Sequence, residues 1–337
     1  MKLITVTVIV SLSWAAVPNK TAPVMSMKKE IPPHAKALTG RELVDYVTKN
    51  QQLFKIDPKA PIDGLRTKVM KHKFINQKKR PLVEDADVEE LEIPESFDAR
   101  THWPHCPSLS YIRDQSNCGS CWAVSSAEAM SDRVCIASRG NKIVELSADD
   151  ILSCCSTCGY GCEGGWPLDA WQYFVESGVV TGGRYGTKNA CKPYEIPPCD
   201  LYSNCTTIAE TPKCERKCQS GYSIPYDKDK SYGKTAYSLS NSTSSIQKDI
   251  LRHGPVVAVF TVYEDFMRYQ SGIYEHTAGG FEGFHAVRML GWGVENGTAY
   301  WLIANSWSTA WGENGYFRIR RGTNECGIED SVLAGRI

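Results

Sequence analysis

The placement of the cysteines constrains this chain more than any other feature. All 14 lie between Cys106 and Cys326, and the first 105 of the 337 residues contain none. They are scattered singly over that span, apart from the adjacent pair Cys154-Cys155. Cys155/Cys158 and Cys158/Cys162 have spacings that would suit zinc. However, two separate C-x-x-C knuckles are not present, so disulfides are the expected use and no metal site is expected. Spacing alone does not choose among the many possible connectivities. The N-terminus agrees with an oxidising destination. Met1-Lys2, an apolar run from Leu3 to Trp14 and the small Ala15 read as a signal peptide cleaved after Ala15. That run is too short and too interrupted to span a membrane. No other stretch qualifies, so the mature part is expected to be soluble and within the secretory pathway.

The cysteine boundary is also a compositional boundary. Residues 16–92 are rich in Lys, Pro and polar residues, and with the signal peptide included residues 1–92 carry a net +5, from 16 Lys+Arg and 11 Asp+Glu. Residues 93–337 hold 22 against 27 and so carry −5. The whole is formally neutral, which gives no reason to expect nucleic acid as a partner. Within the leader, Leu43, Val44, Val47, Leu53 and Phe54 give Glu42 to Ile56 a helical periodicity. Lys78-Lys79-Arg80-Pro81 and the acidic run to Glu92 read as an exposed, cleavable linker. The expected division is therefore signal peptide 1–15, leader 16–92 and mature part 93–337.

The mature part begins helical. The sequence predicts a long helix from Cys121 to Arg139 stopped by Gly140, and a short one over Leu146–Leu152 capped by Ser147. A third is predicted over Leu168–Glu176, ended by Ser177-Gly178. Tyr185–Tyr237 reads as a loop-rich, stapled region. A helix over Ser245–His253 follows, then strands at Val256–Val262, Ala286–Leu290, Tyr300–Ala304 and Tyr316–Arg320. A helical half followed by a β half implies a cleft between them, where sites form.

Chemistry concentrates at Gln115 to Trp122. Cys121 falls on the first turn of the long helix, where the dipole favours a thiolate. Gln115 can donate a side-chain hydrogen bond to a developing oxyanion beside the Cys121 N–H. A thiolate needs an imidazole partner. Of the seven histidines His285, in Gly283-Phe284-His285-Ala286-Val287, has the most suggestive context, at the start of an apolar strand, and a buried structural histidine is the alternative. Asn305, in Ala304-Asn305-Ser306-Trp307, offers a carbonyl to orient that ring, with Trp307 shielding the bond.

Taken in order, Gln115, Cys121, His285 and Asn305 resemble the machinery of the papain family, and Cys118-Gly119-Ser120-Cys121-Trp122 matches the pattern around its nucleophile. The resemblance is to the cathepsin B group within that family and covers residues 93–337. It is carried by Ile93–Arg100, Cys118–Trp122, Cys162-Glu163-Gly164-Gly165-Trp166-Pro167, Lys192–Cys199, Gly291–Thr298 and Asn305-Ser306-Trp307. It implies an α+β, papain-like two-lobed fold with a helical lobe, a β-barrel-like lobe and the active-site cleft between them. It also implies a zymogen whose own propeptide blocks the cleft, protein and peptide substrates, cystatin-type inhibitors, no cofactor, a monomer, and a lysosomal, gut-lumen or extracellular destination. Backbone hydrogen bonds to an extended substrate would come from Gly164 and Gly165. The implied disulfides are Cys106–Cys135, Cys118–Cys162, Cys154–Cys214, Cys155–Cys158, Cys191–Cys218 and Cys199–Cys205, leaving Cys121 and Cys326 outside them.

Two departures from that group bear on specificity. Where its members carry an occluding loop with two adjacent histidines, this chain has only Asp200-Leu201-Tyr202-Ser203-Asn204 between Cys199 and Cys205. Weak carboxydipeptidase activity and an open, endopeptidase cleft are expected. Ser331 stands where an acidic residue receives arginine in the second specificity pocket, with Val259 in the wall, so apolar side chains are expected there. Ala310 replaces a commonly polar residue. Of the N-x-[ST] sites Asn19, Asn204, Asn241 and Asn296, the better glycan candidates are Asn204 and Asn241, because Asn296 falls in a tight turn. A catalytically silent, peptide-binding homologue is the competing expectation.

Overall fold

The computed structural model describes residues 30–71, 73, 91–199 and 205–337. The expected signal peptide, most of the linker Lys78–Glu92, the Asp200–Asn204 segment and the sequons Asn19 and Asn204 lie outside the described residues.

In chain order, the leader forms α1 (Pro33–Lys36), α2 (Gly40–Asn50), β1 (Phe54–Ile56) and α3 (Ile62–Arg66). Helix α2 buries Leu43 and Val47 and ends at Asn50. The helical periodicity read from Glu42 to Ile56 therefore overruns. Phe54 to Ile56 leave the helix to pair antiparallel with a strand of the main sheet, and Phe54 packs on the rings of Tyr269 and Tyr274. The alternation that continues the helix pattern is satisfied by tertiary strand pairing, which local periodicity does not report.

The remaining chain forms β2 (Phe97–Asp98), α4 (Ala99–His102), α5 (Cys121–Ala137), α6 (Ala148–Cys154), α7 (Pro167–Glu176), β3 (Tyr237–Ser238) and α8 (Thr243–His253). It continues with β4 (Val256–Tyr263), α9 (Glu264–Met267), β5 (Tyr269–Tyr274), β6 (Phe281–Glu295), β7 (Thr298–Ala304), β8 (Tyr316–Arg320) and β9 (Val332–Ala334). Helix α5 is buried over nearly its whole length, as befits a central helix with apolar and small residues on every side. The chain then turns at Arg139 and Gly140, both with positive φ. Ser147 caps α6 by accepting the Asp150 N–H at 2.9 Å.

The strands join in one sheet, ordered β1-β5-β8-β7-β6-β4-β9-β3, with β2 on β6. Its axis is β6, a 15-residue strand paired with both β4 and β7. The β6–β7 turn is Asn296-Gly297, both with positive φ, the conformation expected of an Asn-Gly hairpin. The core has two large parts, one around α5, α6 and α7 and one inside the sheet, and a small third cluster of Val180, Cys191 and Tyr226, giving the expected α+β architecture of a helical lobe against a β lobe. Cross-lobe anchors are polar. Arg133 of α5 is fully buried and donates to the carbonyls of Pro255 and Gly335, to the Tyr237 hydroxyl at 2.9 Å, and to Asp249. Arg288 of β6 reaches back to Asp132 of α5 at 2.8 Å. Disulfides join Cys106–Cys135, Cys118–Cys162, Cys154–Cys214, Cys155–Cys158, Cys191–Cys218 and Cys199–Cys205. Cys121 and Cys326 stay outside them, both buried.

Candidate active site

Cys121 opens α5 at the boundary of the two lobes. The loop before it is held by the Cys118–Cys162 disulfide and by the Gly119 N–H donating to the Cys162 carbonyl at 2.8 Å. From the other lobe, β6 presents His285. This residue sits within the 15-residue strand, paired with Phe260, and not at a strand start as the sequence suggested. The strand extends four residues before His285 because Phe281 to Phe284 pair with the end of β4 despite their glycine. The Ala286 N–H donates to Cys121 Sγ at 3.4 Å, so the thiol and the histidine segment touch across the cleft.

The ring of His285 is oriented from behind. Its Nε2 lies 2.6 Å from Asn305 Oδ1, which also accepts the Ser306 N–H at 2.8 Å. Trp307 covers this bond, its ring centroid 4.7 Å from the imidazole, and Phe260 adds a second wall. The Nδ1 atom has no hydrogen-bond partner among the described residues. It is the ring nitrogen left over for exchange with a reacting group.

Gln115 is locked in orientation. Its Oε1 accepts the Ser306 hydroxyl at 2.7 Å, and its Nε2 donates to the carbonyls of Cys118 at 2.7 Å and Lys68 at 2.8 Å. Ser306 and Tyr194 were not singled out from sequence. The Tyr194 hydroxyl donates to the Gln115 carbonyl at 3.0 Å and meets Ser120 Oγ at 2.7 Å. Tyr194 lies in the Lys192–Cys199 stretch, so the resemblance marked the stretch but not the contact.

Lys68 belongs to the leader, which passes through the cleft. Its ammonium lies 3.0 Å from Asp114 with the side chain only 2% exposed. Met70 pairs with Phe284, N–H to carbonyl at 2.7 Å and carbonyl from N–H at 3.0 Å. Gly283 permits this approach, because a Cβ there would stand 2.7 Å from the Met70 carbonyl. The Lys71 N–H donates to the Glu163 carbonyl, and the ammonium groups of Lys71 and Lys73 reach the Glu163 carboxylate at 2.8 and 3.0 Å. These two ammonium groups hold the Glu163 carboxyl down to about 2.

Beneath the leader, Cys121 and His285 are wholly inaccessible. Burial pushes the Cys121 thiol up to about 12, against three opposing backbone N–H contacts. Burial also holds His285 down to about 4, helped by the nearby Lys68 cation and opposed by Asn305. Burial beneath the leader therefore favours the neutral forms of the thiol and the imidazole.

Of the other expected site residues, Gly164 and Gly165 line the same edge as Glu163. The Gly164 carbonyl accepts the Tyr160 N–H, and Gly165 backs directly onto the Trp122 ring, where a Cβ would fall at 2.6 Å. Val259 and Ser331 are adjacent, the Val259 N–H donating to the Ser331 carbonyl at 2.9 Å. Asp330 is exposed and accepts from Asn324 Nδ2 at 2.7 Å. Asn241 is exposed just before α8. Among the described residues no group of His, Cys, Asp and Glu is arranged to hold a metal, and no helix is long and apolar enough to cross a membrane.

A thiol bonded by the strand that carries an Asn-oriented imidazole, between two lobes, defines a class. The family model described as papain family cysteine protease matches residues 93–336, and the chain belongs to that family. Within it, this is a cathepsin B-like cysteine proteinase, made as a proenzyme. The chain is 52% identical over 319 residues to cathepsin B-like cysteine proteinase 1 of Ostertagia ostertagi, covering 92% of this chain and 93% of that protein. It is 53% identical over 312 residues to cathepsin B-like cysteine proteinase 1 of Haemonchus contortus, covering 90% and 91%. Among solved structures, procathepsin B S9 of Trypanosoma congolense matches with a TM-score of 0.78 at 37% identity, covering 89% of this chain and 98% of that one.

Proposed function

We propose that the processed protein is an endopeptidase in which Cys121 and His285 work as a thiolate–imidazolium pair. The observation that carries this reading is the His285 Nε2–Asn305 Oδ1 contact of 2.6 Å. It leaves Nδ1 without a partner among the described residues, on a strand whose next N–H already bonds Cys121 Sγ. Once the leader leaves, water reaches the site and the desolvation that favours both neutral forms is relieved. Sγ then attacks the scissile carbonyl. The oxyanion accepts hydrogen bonds from Gln115 Nε2 and the Cys121 N–H. His285 passes its proton to the leaving amine, giving a thioester, and afterwards takes a proton from the water that hydrolyses it.

The acyl half of the substrate lies along Gly164 and Gly165, with its second side chain between Val259 and Ser331, where no carboxylate awaits an arginine. Trp307 flanks the other half. The leader crosses in the opposite sense. Its residues run from Lys68 at the Asp114 end to Lys71 at Glu163, and the Lys68 carbonyl occupies the Gln115 amide. A peptide bound backwards presents no correctly oriented bond to Sγ. The leader thus inhibits by occupation, and the first mature residue is Ile93 or one shortly before it. The sequence between Cys199 and Cys205 has no Lys, Arg or His to hold a substrate's C-terminal carboxylate, so release of C-terminal dipeptides is slow. The secretory route ends in an acidic lysosome or a gut lumen, the enzyme works as a monomer, cystatin-type inhibitors bind its cleft, and Asn204 and Asn241 carry glycans.

A peptidyl epoxide that labels the processed protein, with labelling and hydrolysis both lost in Cys121→Ser, is the expected outcome. Undiminished hydrolysis by that variant refutes the proposal. A cleavage-site profile then reads the pocket. Equal turnover of Arg-Arg and Phe-Arg substrates would remove the role given to Ser331, and rapid release of dipeptides would remove that of the short segment.

A further inference from the structure

We propose that Asp114 forms an acidic subsite on the leaving-group side of the cleft, taking a lysine or arginine side chain of the substrate once the leader is gone. This rests on the peptidase reading above.

The leader shows what the position accepts. Lys68 places its carbonyl on Gln115 Nε2 at 2.8 Å and its ammonium 3.0 Å from Asp114 Oδ1. A side chain that starts at the oxyanion position therefore reaches Asp114, and it is almost completely removed from solvent there. Asp114 is itself 22% exposed at the side chain and keeps one further bond, from the Ser116 N–H at 2.9 Å to the same Oδ1. Withdrawal of Lys68 leaves this half-buried carboxylate without its cation, and a replacement cation recovers the lost pairing.

Asp114 also lines a cavity of about 420 Å³, whose walls include Tyr111, Arg113, Tyr194 and Thr309. Among the described residues of the cavity wall, the cations are engaged elsewhere. The Arg113 guanidinium is committed elsewhere, donating to the Leu146 carbonyl at 2.9 Å and facing Glu145 at 3.7 Å. Arg184, also in the wall, lies over the Tyr111 ring at 5.0 Å. Pro198 borders the cavity, and the sequence between Cys199 and Cys205 contains no cationic residue.

The side of the cleft follows from neighbours. Asp114 bridges to Trp307, beyond Asn305, whereas Glu163, Gly164 and Gly165 mark the opposite end. With the acyl half of the substrate at the glycines, Asp114 meets the first or second residue after the scissile bond.

The test uses the full chain processed to its mature form. It compares internally quenched peptides with one common acyl half and Lys, Arg, Met or Glu at the two positions after the cleaved bond. Lys and Arg should raise kcat/KM roughly tenfold over Met, with Glu below Met. In Asp114→Asn the ratio of Lys to Met should collapse to about one, and the penalty on Glu should disappear. No preference in the wild type, or a preference that survives Asp114→Asn, overturns the subsite. Epoxide labelling of Cys121, and hydrolysis of a substrate whose leaving group is an aminocoumarin, report the peptidase reading alone. Hydrolysis of the coumarin substrate without a lysine preference refutes only the subsite. Absence of both hydrolysis and labelling refutes the peptidase reading and the subsite with it.

Discussion

Gln115, the proposed oxyanion donor, is held immobile. Its amide is pinned by the Ser306 hydroxyl on one side and the Cys118 carbonyl on the other. The remaining direction of Nε2 is the one the leader carbonyl takes. Replacing it by alanine should lower kcat about a hundredfold or more with little change in KM, because the bond strengthens as negative charge develops. Steady-state kinetics of Gln115→Ala check this, and a pure KM effect would contradict it. Cys121 makes a second prediction at this scale. With its thiol held up near 12 beneath the leader, alkylation of the full-length chain by iodoacetamide should be slow between about pH 5 and 8. After processing the same reagent should react rapidly even at acidic pH. Equal rates before and after processing would show that burial does not govern the thiol.

At the scale of elements, the leader is fastened by strand pairing, by a threaded segment and by charge. Arg66–Glu282, Lys68–Asp114, Lys71–Glu163 and Lys73–Glu163 join it to the body, and in each the leader supplies the cation. This agrees in sign with the +5 and −5 halves. The Lys71 and Lys73 pairs are about half exposed, so salt screens them. At neutral pH, about 0.5 M salt should hasten conversion of the full-length chain. The double change Lys71→Glu, Lys73→Glu should hasten it without salt, both read as the half-time of the full-length band.

Acid acts on a different group. The covered His285 is held at about 4, below its ordinary 6.5, so between these values only the opened state binds the proton. In a Cys121→Ser chain, where no thiolate holds the imidazolium, the closed state therefore keeps its full advantage above about pH 6.5 and loses up to about 3 kcal/mol as pH falls to about 4. Hydrogen-exchange protection of the Met70 and Phe284 amides in a Cys121→Ser chain, corrected for intrinsic rates, should fall across that window. Constant protection would contradict the linkage.

At the scale of the molecule, the two lobes are held in register by buried ions as well as by apolar packing. Arg133 joins α5 to Asp249, Tyr237 and three backbone carbonyls, and both it and Asp249 are buried. Removing one member strands the other. Arg133→Met should destabilise the protein by about 3–5 kcal/mol, and Arg133→Met with Asp249→Leu should recover part of that loss. Thermal unfolding of the full-length chain measures both. A single substitution without effect would mean that the carbonyls and packing suffice to hold the lobes.

Much of this was legible in the chain itself, because the relevant signals are local. The capped helix ends, the Asn-Gly hairpin and the switch from helical to alternating pattern gave the α+β class and most elements. Cys121 at a helix start, with the cysteines outside the leader, pointed to a protected nucleophile. What local pattern does not carry is pairing between distant segments. Phe54–Ile56 looked helical until Tyr269–Tyr274 gave them a partner. His285 looked like the beginning of a strand until the end of β4 lengthened it. Strands β5 and β9, short and interrupted by glycine or loop, showed no alternation strong enough to read.

The sequence by itself determined the family, the division into a basic leader and an acidic body, and the residue types available for chemistry, since these depend on composition and spacing. Only the tertiary structure decided that Lys68 lies on both Gln115 and Asp114, that Ser306 holds the glutamine still, and that covering the cleft pushes its thiol and imidazole toward their uncharged forms. Those outcomes depend on which groups share a volume from which water is excluded, and residues 46 or more apart in the chain acquire that relation only when the fold closes.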